Sequence, residues 1–296
     1  MPSSRTLATD FAPSERVRAN GLDFEVFTAG DPASPRLALC LHGFPEHPFS
    51  WRHQLPVLAE LGYRVWAPSQ RGYGRTAPRP ADVAAYHVEQ LLADAAALIR
   101  ASGKQRVTLV AHDWGGIVAW LFALRRIAPL ERLVVMNLPH PQRFLEALQS
   151  DRAQRRRSLY ERFFQLPRLP EWLFRRRDAQ LVAEAFRGMA VHPERFGDEV
   201  LRVYRDQALA PGAMKAMLDW YRANPFREVL RGPWPRLDTP TLLVWGVRDS
   251  ALGQSMTERT GELVRELELR FLEASHWVQQ DAPDEVNAIL RESLSH

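Results

Sequence analysis

Residues 106–116, RVTLVAHDWGG, decide how the rest of the chain is read. An apolar strand runs up to His112, Asp113 stands at a sharp turn, and Trp114, Gly115 and Gly116 open a helix. This is the strand–elbow–helix context in which G-x-S-x-G presents a nucleophile, with Ala111, Asp113 and Gly115 at the small–nucleophile–small positions. A carboxylate there points to displacement at a saturated carbon through an alkyl ester, because an ionised Asp attacks without a base. An Asp at this place also serves as a plain helix cap. The paired glycines favour the nucleophile, since a tight turn and close helix–strand packing both exclude side chains. Free N–H groups at the helix start keep the carboxylate charged.

Working outward, short apolar runs alternate with helical patterns, the mark of a mostly parallel sheet covered on both faces. The strand candidates are LDFEVFTAG, RLALCLHG, YRVWAPS, RVTLVAH, LERLVVMN, TPTLLVWG and LELRFLEA. Helical spacing marks WRHQLPVLAELG, HVEQLLADAAALIRASG, WGGIVAWLFALRRIA and DAPDEVNAILRESL. The alternation stops after Asn137 and resumes at Thr239, with helical patterns between. An α/β core over 1–137 and 236–296, carrying a helical cap over 138–235, is therefore expected. At 296 residues and 46% apolar, the chain is long enough to bury such a core. The opening stretch MPSSRTLATDFAP reads as a loose extension.

The single cysteine, Cys40, excludes a disulfide framework and falls in an apolar strand. With neither a secretory h-region nor an apolar run of bilayer length, a soluble cytoplasmic protein without a membrane span is expected. The net charge of +4 gathers at Arg152 and Arg155–Arg157, and again at Arg175–Arg177. These arginines lie in helical spacing without interleaved stacking aromatics, which favours a solvated helix face over a nucleic-acid partner. No metal-ligand spacing occurs, and LHGFP and RGYGRT lack the lysine and spacing of a phosphate loop, so no cofactor is expected. No motif decides between a monomer and a homo-oligomer.

An ester on Asp113 must be hydrolysed, which calls for a general base acting on water. His276, in the turn after the last strand, is the first candidate; His42 and His112 are its rivals. His42 belongs to the HGFP turn, and strand alternation turns His112 away from Asp113. His47, His53, His87, His140 and His192 read as surface or loop residues, and His296 is terminal. A carboxylate must orient the imidazole, and Asp249 follows TLLVWGVR at a strand's C-terminal end, where α/β sheets assemble their sites. Glu273 and Asp281 rank second and third. HGFPE at 42–46 reads as an oxyanion loop, with backbone N–H groups of Phe44 and Trp114 facing one Asp113 oxygen.

Together, the stretch HGFPEHPFSWRHQLPVLAELGYRVWAPSQRGYGRT, VAHDWGG, VWGVRD and SHWVQQDAPDEVNAIL resemble the epoxide hydrolases of the α/β-hydrolase superfamily, over nearly the whole core. The resemblance implies the α/β-hydrolase fold, a mostly parallel eight-stranded sheet flanked by helices with an inserted helical cap. It also implies two cap tyrosines that protonate the opening ring oxygen, an alkoxide being a poor leaving group. Tyr160, in SLYERFFQLP, has the family's setting with Phe164, Gln165 and Pro167 after it; Tyr221, in LDWYRANP, has the second. Tyr204, in VYRDQ, has neither. One departure is Ala111, where Gly is more usual.

Haloalkane and haloacetate dehalogenases share the Asp nucleophile. The first usually carries Asn at the position of Phe44, and the second Arg at that of Trp114, so both differ from this chain. The expectation is a cofactor-independent epoxide hydrolase that turns a small lipophilic epoxide into a vicinal diol, a detoxification chemistry. Phe44, Trp114, Phe163, Phe164, Trp220 and Trp277 are expected to line an apolar pocket. A haloalkane or haloacid dehalogenase is the alternative reading, and a non-catalytic ligand-binding protein on the same fold a lesser one.

Overall fold

The computed structural model describes residues 10–295. Residues 1–9 of the expected extension and His296 lie outside the described residues. The end of that extension is packed: Phe11 meets Phe27 at 4.5 Å between ring centroids and Phe49 at 5.3 Å.

One sheet of eight strands forms the frame: β1 Ser14–Ala19, β2 Leu22–Ala29, β3 Arg36–Leu41, β4 Arg64–Pro68, β5 Arg106–His112, β6 Arg132–Met136, β7 Thr241–Gly246 and β8 Leu267–Leu272. Their spatial order is β1-β2-β4-β3-β5-β6-β7-β8, with β1–β2 and β2–β4 antiparallel and the rest parallel. Seven strands coincide with the apolar runs named above. The exception is β1, an edge strand exposed over most of its length and so without apolar alternation. Its signal is the Asn20–Gly21 turn, where φ of 43° and 77° matches the two positive-φ positions of a tight hairpin.

Alternation along the central strands divides the core. Leu37, Leu39 and Leu41 of β3 join Leu109 and Ala111 of β5 on one face, while Ala38, Cys40 and Val110 face the other. Helices α1 (Gln54–Glu60), α2 (Val88–Ser102) and α3 (Trp114–Leu124) connect β3 to β4, β4 to β5 and β5 to β6 in turn. Every residue of α3 is buried, as its unbroken apolar sequence requires.

Between β6 and β7 the chain forms α4 (Pro141–Ser150), α5 (Arg152–Arg157), α6 (Leu159–Phe164), α7 (Leu169–Met189), α8 (Asp198–Leu209), α9 (Ala213–Ala223) and α10 (Phe226–Val229), with no strand among them. The helical spacing expected through Arg175–Arg177 is interrupted: α7 breaks at Arg176–Ala179, where Arg177, Asp178 and Ala179 take positive φ. Short α11 (Val278–Asp281) and α12 (Pro283–Leu294) close the fold. Among the described residues, no helix is long and apolar enough to cross a membrane.

The inserted segment is fastened to the sheet side by polar bonds. Asn224 accepts from Val88 N at 2.7 Å and donates to Tyr86 O at 2.9 Å. Trp220 Nε1 donates to Arg71 O at 3.0 Å. On the opposite flank, Asp281 accepts from Val191 N at 3.0 Å and His192 N at 2.8 Å.

Candidate active site

The sheet order reverses at β3, from which the chain steps out to β4 and returns to β5, and such a switch leaves a crevice at the strands' C-terminal ends. Leu41 and Ala111 are in register, so the HGFP turn after β3 and the elbow after β5 emerge side by side. At the elbow Asp113 takes φ 48° and ψ −123°, a conformation L-residues rarely adopt. Oδ1 accepts from Phe44 N at 2.7 Å. Two glycines make this approach possible. A Cβ at Gly43 would stand 2.4 Å from Asp113 Cβ, and one at Gly115 2.1 Å from Leu41 O. Trp114 is the first residue of α3, so its N–H has no acceptor within the helix.

His276 follows β8 and faces the elbow. Its Nε2 lies 3.6 Å from Asp113 Oδ2, an ion-pair contact too long for a hydrogen bond. Nδ1 is 2.7 Å from Asp249 Oδ2. Asp249 is buried and fully bonded: Oδ1 accepts from Ala251 N at 2.8 Å and Leu252 N at 2.9 Å, and Oδ2 from Asn137 Nδ2 at 2.7 Å. Glu273 is exposed and paired with Arg248. Asp281 turns to Ser275 N at 2.7 Å and to the backbone bonds already described, so it shapes the loop around His276 instead of touching the ring.

Burial alone would depress His276, but the carboxylates of Asp249 and Asp113 outweigh it and lift the imidazole to about 10. Burial alone would raise Asp113; His276 opposite, then His112 and the Phe44 N–H, hold it below the usual aspartate range. The two groups therefore rest as a charge pair. Burial and the Asp113 charge push the phenols of Tyr160 and Tyr221 well above 10, so both remain proton donors.

Two further residues brace the site without a motif to mark them. Asn137, at φ 43° after β6, bonds Asp249 and accepts from Gly246 N at 2.9 Å through Oδ1. Its signal is an amide at the C-terminal end of a strand. Glu46, fully buried, accepts from Gly43 N at 2.8 Å, Gln279 Nε2 at 2.8 Å and Gln280 Nε2 at 3.0 Å. It also meets His112 Nδ1 at 2.8 Å, and His112 Nε2 in turn meets His276 O at 2.8 Å. One buried carboxylate thus ties together the HGFP turn, the strand before the elbow and the His276 loop.

His42 sits in the turn with Nδ1 3.0 Å from Gly43 O, and burial lowers it to about 4, so it is neutral. His47 and His140 lie in loops but are buried, each accepting a bond that caps the following helix.

The aromatic residues separate into those that meet and those that brace. Tyr221 touches Trp114 at 5.0 Å, Phe44 at 5.2 Å, Phe164 at 4.9 Å and Tyr160 at 6.0 Å between centroids. Phe163 meets this wall at Phe164, 6.0 Å between centroids. Trp220 lies behind Trp114, at 5.8 Å, with its N–H already bonded to Arg71 O. Trp277 packs on His276 at 4.9 Å and on Phe186 at 4.2 Å. Tyr204 stacks on Phe186 at 4.2 Å and bonds Gln280 Oε1 at 2.5 Å, away from this wall.

A switch-point crevice holding an elbow carboxylate, a histidine and a second carboxylate, on a sheet of this order, defines an α/β hydrolase. The family model described as "alpha/beta hydrolase fold" matches residues 38–283, and the chain belongs to that family. The AB hydrolase superfamily protein YfhM of Bacillus subtilis is 35% identical over 282 residues, covering 95% of this chain and 97% of that protein. Epoxide hydrolase 4 of Mus musculus is 37% identical over 281 residues, 93% of this chain and 77% of the mouse protein. The crystal structure of Bacillus megaterium epoxide hydrolase in complex with an inhibitor superposes with a TM-score of 0.84 at 26% identity, over 95% of this chain and 100% of that one.

Proposed function

We propose that this chain is an epoxide hydrolase, with residues 138–235 as its cap over a core of 1–137 and 236–296, working without a cofactor on a small lipophilic epoxide in the cytoplasm. The observation that carries the reading is the pairing of an elbow carboxylate with two phenols held protonated on the same aromatic wall. Oδ1 of Asp113 is occupied by the Phe44 N–H, which leaves Oδ2 to attack a ring carbon. As that carbon–oxygen bond forms, the ring carbon–oxygen bond breaks, and Tyr160 or Tyr221 protonates the leaving oxygen. Esterification removes one of the two carboxylate charges that hold the proton on His276. The imidazole loses that proton, which resupplies the phenol, so the net charge of the site is unchanged.

Neutral His276, oriented by Asp249, then takes a proton from water as the water attacks the ester carbonyl. The tetrahedral oxyanion forms where Phe44 N–H already donates, with the Trp114 N–H as second donor. Collapse releases a vicinal diol carrying an Asp113 oxygen and restores the charge pair. The aromatic wall of Phe44, Trp114 and Phe164, extended by Phe163, suits an uncharged apolar substrate; Trp220 and Trp277 support it from behind and beside.

Single-turnover hydrolysis in heavy-oxygen water tests the reading. Label is expected in Asp113 after one turnover, with none in the first diol. Label in that first diol rejects the covalent route. Turnover of no epoxide in a broad panel, together with halide release from haloalkanes, rejects the substrate class.

A further inference from the structure

Six large apolar side chains stand well exposed among the described residues, and four of them crowd into one short segment of the cap: Leu159 at 53%, Leu166 at 45%, Leu169 at 46% and Trp172 at 54%. A lone exposed leucine means little, but a cluster of this kind marks a surface that meets something apolar. The spacing is regular. Leu159, Arg162 and Leu166 fall at i, i+3 and i+7 along α6 and its end, and Leu169, Trp172 and Arg176 repeat that spacing along α7. All six are exposed. Each helix thus turns a mixed apolar and cationic stripe outward, while Phe164 and Phe174 on the inner faces pack against Phe44.

Apart from Glu161, the unpaired charge on this surface is positive. Arg162, Arg168, Arg175 and Arg176 form no ion pair among the described residues; of the acids near them, Glu171 is engaged by Arg222 and Asp178 by Arg205. Arg176 instead lies over the Trp172 ring, 4.3 Å from its centroid. Beside Leu159 and Arg162 opens a cavity of about 400 Å³, lined also by Arg152, Arg155, Arg156 and Arg227, with Glu161 its one carboxylate. Arginine with leucine and tryptophan is the composition of an interfacial element, whose apolar side chains enter the headgroup region while its cations meet anionic lipid.

We propose that the outer face of α6 and α7 docks the protein on an anionic lipid bilayer. The exposed leucines and tryptophan favour a bilayer over a nucleic acid, whose phosphate backbone gives them nothing to enter. One helix diameter separates this face from the aromatic wall, roughly 10 Å, so the docked enzyme meets an epoxide dissolved in lipid close to where it reacts. The docking itself does not depend on the epoxide reading, and its measurement is separate from turnover.

The test is co-flotation of the full chain with vesicles of phosphatidylcholine alone or mixed equally with phosphatidylglycerol. Binding is expected to the anionic vesicles, falling at least about tenfold between 50 and 500 mM NaCl. Two variants should each lose about tenfold or more: the apolar Leu166→Ser/Leu169→Ser/Trp172→Ser and the charge-reversed Arg168→Glu/Arg175→Glu/Arg176→Glu. Both should keep wild-type turnover of a water-soluble epoxide, which shows that they fold. If no epoxide is turned over by wild type either, an unchanged thermal midpoint serves as that control. No binding to anionic vesicles, or binding that neither variant weakens, overturns the proposal. Equal retention on DNA that only the charge reversal abolishes overturns it in favour of a polyanion surface. Self-association lost in the apolar variant, without vesicle binding, overturns it in favour of a second copy.

Discussion

His276 is the residue whose chemistry and stability are most closely joined. Its imidazole is lifted to about 10 from an ordinary value of 6.5, against burial, by Asp249 and Asp113. A raised folded value stabilises the fold fully below pH 6.5 and loses that contribution as pH climbs through about 10. Asp113, held low, contributes above its ordinary 3.8 and loses that only in acid, so it does not blur the alkaline window. Wild type is therefore expected to lose on the order of a few kcal/mol of unfolding free energy from near neutrality to pH 10, and His276→Gln to show a much flatter profile in urea melts. The same variant should stop after the first half-reaction, gaining the intact mass of one epoxide. A profile that stays steep, or no mass gain, counts against the role. At this scale the sequence is legible where a residue sits at a strand end: Asp113, Asp249 and His276 all do. Asn137 and Glu46 are harder to see, since they act through partners 112 and 66 residues away, Asp249 and His112, that no local pattern links to them.

At the scale of elements, the elbow works because β5, α3 and the HGFP turn approach more closely than side chains permit. Gly115 shows how tight this is, since an added Cβ would lie 2.1 Å from a backbone oxygen that no rotamer change can move. Gly115→Ala is expected to cost more than about 3 kcal/mol of stability in denaturant melts, or to prevent folding. Gly21→Ala is the contrasting case: nothing lies near its Cβ, so only the positive φ of 77° resists, and the loss should stay near 1 kcal/mol. Similar losses at the two positions would mean the close approach at the elbow is not what confines it. Parallel strands announce themselves as apolar runs because both faces are covered. Half-exposed β1 has no such run, and the break in α7 at Arg176–Ala179 has neither Gly nor Pro to signal it.

Across the whole molecule, the inserted helices and the sheet side are joined by polar bonds at both flanks, and Asn224 bears much of one. Its replacement by Ala leaves Val88 N–H and Tyr86 C=O without their partner, at a cost of about 2 kcal/mol. Limited proteolysis should then cut Asn224→Ala within 138–235 well before wild type; equal cutting would show that the join lies elsewhere. The α/β frame and the helical insert are both readable from alternation and its interruption. How the insert meets the frame is not, because a bond such as Trp220 Nε1 to Arg71 O is specific to the packed chain. The elbow conformation has a further consequence at this scale. Holding Asp113 at φ 48° and ψ −123° opposes folding by about 1–3 kcal/mol, a visible part of a domain's net 5–15 kcal/mol. Glycine at 113 is the replacement the backbone would favour and the proposed ester chemistry would forbid. A lineage released from selection for activity can therefore drift toward a sturdier, silent protein through this one codon.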